Sequence, residues 1–347
     1  MFVVIGEALV DLVGQRGSRT MVAHPGGSPA NVALGLGRLG NPVTLMTHLG
    51  RDSFGEMISG HLQASGVQVE GGSDAGSSTS LAVATLAAGI ATYDFRIEWD
   101  IGNLEPLPVE TRCLHTGSLA TALEPGRTDV QTLLEHEHRR GRVTISYDPN
   151  VRPALLGSPE AARSGVEHLV ELSDVVKVSD EDLHWLYSDR EDEDVAREWL
   201  GTGPALVVVT RGGEGVFAVT TDLELRRPAT PIDLVDTVGA GDSFTSGLLD
   251  GLRRADLIGG PRRQALAAID ESSLVSVLDT ASLIAAITCS RPGADPPTRD
   301  ELESAQAAAS GSALPKRPAG RTTTAPSPPR PVPTVPSNAS LDPRHTP

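Results

Sequence analysis

The sequence predicts an α/β fold built around a mostly parallel sheet, and three observations lead there. Short apolar runs alternate with segments of helical character along most of the chain, the pattern of parallel strands joined by crossover helices. Leu81 to Arg96 breaks the alternation with two strand-like runs separated by Ala87-Ala88-Gly89, which reads as a hairpin. A glycine-rich turn, Asp236-Thr237-Val238-Gly239-Ala240-Gly241-Asp242, leads straight into helical sequence from Ser243. Such a turn brings a carboxylate, small residues and the positive end of a helix dipole to one place.

Taken in order, Phe2 to Ile5, Val43 to Met46, Val143 to Tyr147, Val175 to Val178 and Ala205 to Val209 read as buried strands. Ala30 to Leu39, Phe54 to Ala64, Asp129 to Arg140 and Pro159 to Val170 read as the helices between them. The hairpin at 81–96 is expected to project from the main sheet as a small β lid. From about Gly311 the composition turns to Pro, Ser, Thr and Arg with almost no large apolar residue. Such sequence cannot bury enough surface to offset its ordering entropy. Residues 1–310 are therefore expected to form one domain and 311–347 a disordered tail. The tail carries Lys316, Arg317, Arg321, Arg330 and Arg344 against Asp342, a net +4 that leaves −20 on the remainder.

The 347 residues carry a formal charge of −16, which argues against broad binding to nucleic acid or an anionic membrane. Cys113 and Cys289 form no CxxC pair, so neither a disulfide framework nor a zinc site is expected, and a reducing cytoplasm fits best. The first residues lack a basic leader, and no stretch approaches the roughly 20 apolar residues of a membrane span, so neither export nor membrane insertion is expected. The acidic run Glu191 to Asp194 reads as a solvated first turn, and His136 and His138, two apart on a helix, do not make a metal pair.

At the start of its helix, Asp242 can accept a hydroxyl proton while the N–H groups of Gly239, Ala240, Gly241 and Asp242 face a transferred phosphoryl group. An isolated Gly-Ala-Gly-Asp would read equally as a helix cap. A second segment supports the chemical reading: Gly26-Gly27-Ser28-Pro29-Ala30-Asn31 enters a helix of small and apolar residues. Its paired glycines allow close backbone approach, and Asn31 offers donors and an acceptor to a polyol. Asp11 follows the first strand toward the carboxyl end of the sheet, where ligands bind in open α/β folds, and can accept sugar hydroxyls.

Together these segments resemble the two signature regions of the ribokinase-like, or PfkB, family of carbohydrate kinases, over residues 1 to about 300. The resemblance implies a three-layer α/β/α fold with a mostly parallel central sheet and a small β lid, with lid elements around 8–16 and 81–100. It implies Asp242 as catalytic base, Gly239, Ala240 and Gly241 as anion hole, and Gly26, Gly27, Asn31 and Asp11 as sugar contacts. Asp148-Pro149-Asn150-Val151-Arg152 looks like a segment of fructokinase-like members and of ketodeoxygluconate kinases, with Arg152 toward phosphate or substrate. Thr210-Arg211-Gly212-Gly213-Glu214-Gly215 resembles the segment near the nucleotide phosphates, which implies nucleotide contacts from Thr210, Gly212 and Gly215. It also reads as a hairpin turn. Ala286 to Ala294 resembles the adenine-side helix and loop, with Cys289 as a wall residue.

One departure stands out. Where many members have Asn-x-x-Glu beside the magnesium waters, this chain has Ser179 and Asp182, with Glu181 as a neighbouring carboxylate. The expected activity is transfer of the ATP γ-phosphoryl group to a sugar hydroxyl with Mg²⁺. Tyr93, Phe95 and Arg96 are the expected lid contacts. The resemblance extends to a monovalent cation, K⁺, at Asp236, and to a homodimer. Fructose leads among acceptors, ahead of 2-keto-3-deoxygluconate and ribose-type acceptors. A non-catalytic sugar- or nucleotide-binding regulator is the alternative of another class; a dinucleotide-dependent oxidoreductase is disfavoured because no G-x-G-x-x-G follows directly on the first strand, Gly35 and Gly37 lying inside a predicted helix instead.

Overall fold

The computed structural model describes residues 1–71, 78–87, 90–102, 104 and 106–310. The expected tail, 311–347, and the Ala88-Gly89 tip of the hairpin lie outside the described residues. The elements follow as β1 (Phe2–Ile5), β2 (Leu9–Gln15), β3 (Val22–Gly26), α1 (Ser28–Arg38), β4 (Val43–Thr47), α2 (Ser53–Gln63), β5 (Val67–Gly71), β6 (Ser80–Ala87), β7 (Ile90–Arg96) and β8 (Cys113–Gly117). Then come α3 (Gly126–Arg140), β9 (Thr144–Asp148), α4 (Pro153–Leu156), α5 (Pro159–Glu171), β10 (Val175–Ser179), α6 (Asp180–Leu186), α7 (Asp192–Leu200) and β11 (Leu206–Thr210). The chain continues through β12 (Val216–Val219), β13 (Glu224–Arg227), α8 (Ala240–Arg254), α9 (Arg263–Ala267), α10 (Glu271–Cys289) and α11 (Arg299–Ser310).

Nine strands form the main sheet in the order β13-β12-β11-β10-β9-β8-β1-β4-β5. All neighbours are parallel except the edge, where β12 and β13 turn antiparallel. The pleat sorts the core into two layers. Phe2 and Val4 face α1, α8 and α10, while Val3 and Ile5 face α3, α5, α6 and α7. Both faces of the sheet are thus covered, which is why its strands read as unbroken apolar runs.

A second, four-stranded sheet in the order β3-β2-β6-β7 forms the lid. The hairpin expected at 81–96 is β6 paired antiparallel with β7, and β6 adds in parallel to β2. The chain leaves β1, passes three buried residues, Gly6, Glu7 and Ala8, and enters β2. Asp11 accordingly sits on the central lid strand, opposite His24 of β3, and not at the carboxyl end of β1 as the sequence suggested.

α10 is the one helix among the described residues long and apolar enough to cross a membrane, at 19 residues, a length of apolar sequence not expected from the chain's composition pattern. It lies in the core: Leu274, Val277, Leu278, Ala281 and Ile284 are buried, a Cβ on Gly247 of α8 would lie 2.9 Å from Ala281, and one on Gly251 would crowd the Val277 side chain at 3.1 Å.

Candidate active site

The N-termini of α1 and α8 converge. Ser28 donates a 2.6 Å hydrogen bond to Oδ1 of Asp242, and the Asn31 amide donates to Oδ2 at 2.8 Å. Asp242 is 7% exposed, and burial pushes its pKa up against the lowering effect of these two donors and of Lys177. Gly239 caps α8 in the left-handed conformation, φ +73°, and a Cβ on it would meet the Cβ of Ala294 at 2.6 Å. The N–H of Ala240 turns back to the carbonyl of Thr237 at 3.2 Å. Of the expected anion hole, the Ala240 N–H is thus turned to the loop, and the helix start is left to Gly239, Gly241 and Asp242.

Sequence reasoning missed the charge beneath this turn. Lys177, on β10, is 4% exposed and places Nζ 2.9 Å from Oδ2 of Asp148. A Cβ on Gly241 would lie 2.9 Å from the same Nζ, so the glycine gives the ammonium access to the helix start. Asp148 holds its pair partner with Oδ2, while its Oδ1 is buried without a hydrogen-bond partner. Asp182 accepts from the Val151 N–H at 2.9 Å and is pushed up to about 6, first by burial and then by Asp148. Its helix is capped by Ser179, whose Oγ accepts from the Asp182 N–H. Glu181, next in line, is exposed. The signal for Lys177 was available as a lysine in an otherwise apolar buried strand, Val175-Val176-Lys177-Val178.

On the sugar side, the lid brings Asp11 over Gly26, where a Cβ would overlap the carboxylate, well inside van der Waals contact. Gly27 has φ +102° and backs onto the Glu7 carbonyl. Glu7 is buried, accepts from the Ala120 N–H at 3.1 Å and is pushed up to about 7 by burial. Asp11 is likewise raised, to about 6, by burial against the opposing charges of His24 and Arg152. Arg152 bonds through Nη1 to the Asn150 and Val151 carbonyls and to the Asn150 side chain, and its charge reaches Glu7, Asp11 and Asp182. Asp11, Gly26, Gly27, Asn31, Arg152 and Asp242 are thus brought together. Arg96 is exposed on β7, with β6 between it and the strand of Asp11. Phe95 packs with Leu9, Ala82 and Leu119 at the base of the lid, and the Tyr93 side chain lies outside the described residues.

On the nucleotide side, Thr210 ends β11, and Gly212 and Gly215 lie in the turn to β12 with φ +49° and +97°. The turn reading holds for Gly215, where a Cβ would strike the Arg227 carbonyl. Asp236 bridges two loops, accepting from the N–H of Val238 at 3.1 Å and of Gly293 at 2.8 Å. The carbonyl of Cys289 receives the N–H groups of Val235 and Asp236, while its thiol is raised by burial and lacks activation.

A buried carboxylate at a helix start, facing a polyol-binding turn under a β lid, suits phosphoryl transfer to a hydroxyl. Comparison with known proteins agrees. A fructokinase of Rhizobium leguminosarum bv. trifolii is 33% identical over 283 residues, 79% of this chain and 85% of that protein. The structure of the Xylella fastidiosa fructokinase with bound ATP superposes with a TM-score of 0.78 at 25% identity, covering 89% of this chain and 98% of the other. A doubly mutated fructokinase of Vibrio cholerae O395, bound to fructose, ADP and potassium, gives a TM-score of 0.71 at 25% identity over 87% and 97%. The model of the pfkB family carbohydrate kinases matches residues 1–301, and with its signature residues assembled in this way the chain belongs to that family.

Proposed function

We propose that this chain is an ATP-dependent fructokinase, a sugar kinase in which Asp242 takes the proton of the acceptor hydroxyl. The observation that carries the reading is the meeting of Asp242 with Asn31 at the convergent ends of α8 and α1, beneath the lid strand that holds Asp11. As the acceptor hydroxyl attacks, Asp242 receives its proton. The first turn of α8 and the Lys177 ammonium oppose the negative charge that accumulates on the transferred group. Asp11 and Asn31 orient the sugar, and closure of the lid excludes water.

Mg²⁺ belongs to the proposal as the cation that neutralises charge on the phosphate oxygens. The donor set suits it: Asp148 keeps a buried oxygen without a partner, and Asp182 lies beside it. Among the described residues no group of three or more His, Cys, Asp or Glu forms a cage. The protein's share is therefore one or two carboxylates, acting through water. The potassium ion of the Vibrio cholerae fructokinase supports a monovalent cation beside Asp236. Exposed Met21 and Val22, at the edge strand of the lid, support pairing of two lids in a homodimer. A cytoplasmic site of action accords with two free cysteines.

Fructose is favoured over other acceptors by the fructokinase relatives. A coupled ADP-release assay with Mg-ATP against fructose, ribose, glucose, 2-keto-3-deoxygluconate and aminoimidazole riboside tests it. Selective turnover of fructose is expected. Turnover of the sugar acid alone would keep Asp242 and reassign Arg152 to a carboxylate; ATP binding without turnover on any acceptor would favour the regulator.

A further inference from the structure

We infer that Ser28 is a positioning residue for the reaction: its hydroxyl fastens one oxygen of Asp242, so the acceptor hydroxyl enters at the other oxygen, in the place held by the Asn31 amide. The inference rests on Asp242 acting as the base.

Three features assign this role. First, Ser28 opens α1 without capping it. The cap residue is Gly27, no side chain caps the helix, and the Ser28 hydroxyl points to Asp242 at 2.6 Å across 214 positions of sequence. Second, the two donors differ. Ser28 is buried and carries one short rotor, whereas Asn31 is only partly buried and has a longer amide that can turn to a sugar hydroxyl. Third, the two helices pack closely. A Cβ on Gly35 of α1 would lie closer than van der Waals contact to the Ser246 hydroxyl of α8, so the two helices pack directly on each other about two turns behind their starts.

During turnover Ser28 keeps its own proton. The acceptor O–H bond breaks toward Oδ2 of Asp242 as the new O–P bond forms and the bond from phosphorus to ADP breaks. With Oδ1 fastened, the carboxylate cannot rotate, and its remaining lone pairs stay aimed at the acceptor. The charged groups facing Asp242 are Lys177, from β10, and Asp148, from β9, and neither touches Ser28's bond.

The test uses the full chain labelled with ¹³C at the aspartate carboxyls, with the Asp242 signal assigned by its loss in Asp242→Asn. A hydroxyl donating to a buried carboxylate favours the charged form, so Ser28→Ala is expected to raise the Asp242 midpoint by about one pH unit, while Ser28→Thr leaves it near the starting value. The acid limb of kcat/KM with Mg-ATP and fructose is expected to move by the same amount. A tenfold loss in kcat with an unchanged KM for ATP should accompany it. An unchanged midpoint in Ser28→Ala overturns the inference. Should Ser28→Ala fail to fold, judged by thermal unfolding, Ser28→Cys replaces it with a weak donor and the same expected shift. Full turnover by Asp242→Asn would overturn the assignment of the base, and the midpoint would still report on the Ser28 bond.

Discussion

Lys177 and Asp148 form a 2.9 Å ion pair with side chains 5% and 1% exposed, directly beneath the glycine turn that precedes Asp242. The ammonium stays charged despite its burial because Asp148, Asp182 and Asp242 surround it, and its pKa is accordingly raised. Removing one member of such a pair strands the other, at a cost of about 3–5 kcal/mol. Lys177→Met should therefore lower the calorimetric melting temperature strongly. Adding Asp148→Asn should recover most of that loss while turnover stays low, because both the charge beside the helix start and a carboxylate proposed for Mg²⁺ are gone. Recovery of full activity in the double variant would show the pair to be a brace alone.

Asp242→Asn keeps the shape of the site and its bond from Ser28 but cannot take a proton. A loss of about 10²–10⁴-fold in kcat is expected from removing a general base. Calorimetric ATP binding should remain close to that of the unaltered protein. Parallel loss of binding and turnover would assign Asp242 to the fold.

Glu7 makes stability depend on pH. Its pKa is raised in the fold from 4.5 to about 7, so its favourable contribution is complete below about pH 4.5 and is lost as pH rises through 7. The lost amount is about 3 kcal/mol at full ionisation. Glu7→Gln should therefore stabilise the protein at pH 8 and change little at pH 5, measured as urea midpoints at both. Equal effects at the two values would mean that Glu7 is not titrating in this range.

Gly239→Ala sets two costs against each other's relief. The left-handed φ of +73° disfavours a side chain by about 1–2 kcal/mol, and the new methyl collides with Ala294. Relaxing either one moves the first turn of α8. Turnover should fall by at least tenfold while fructose binding, assigned in the proposal to Asp11 and Asn31, changes less; unaltered kcat would separate this turn from the anion hole.

The parallel sheet was legible because both its faces are covered, so its strands stand out as apolar runs, as at Phe2–Ile5 and Val175–Ser179. β8 was not, because its central residues are polar: His115 is satisfied by Ser146 and Thr116 by the Ile5 carbonyl, pairings that exist only after folding. Asp242 and Asn31 could be read because glycine turns mark where backbone must approach a ligand. Lys177 hid in a strand, and Ser28 lay within a quoted motif but acquired meaning only when α1 and α8 were placed end to end. Arg96 is level with Val10 in register but lies on β7, with β6 between it and Asp11, a strand order that no local pattern reveals.

The passage from β1 into the lid is made by Gly6, Glu7 and Ala8, all buried, and Gly6 is pressed so closely against Pro29 that even a methyl has no room. A root clamped in this way fixes where β2 begins, so the position of Asp11 is set from behind, by Gly6 and Pro29, and a side chain added at Gly6 would displace the Asp11 carboxylate without touching any group beside it.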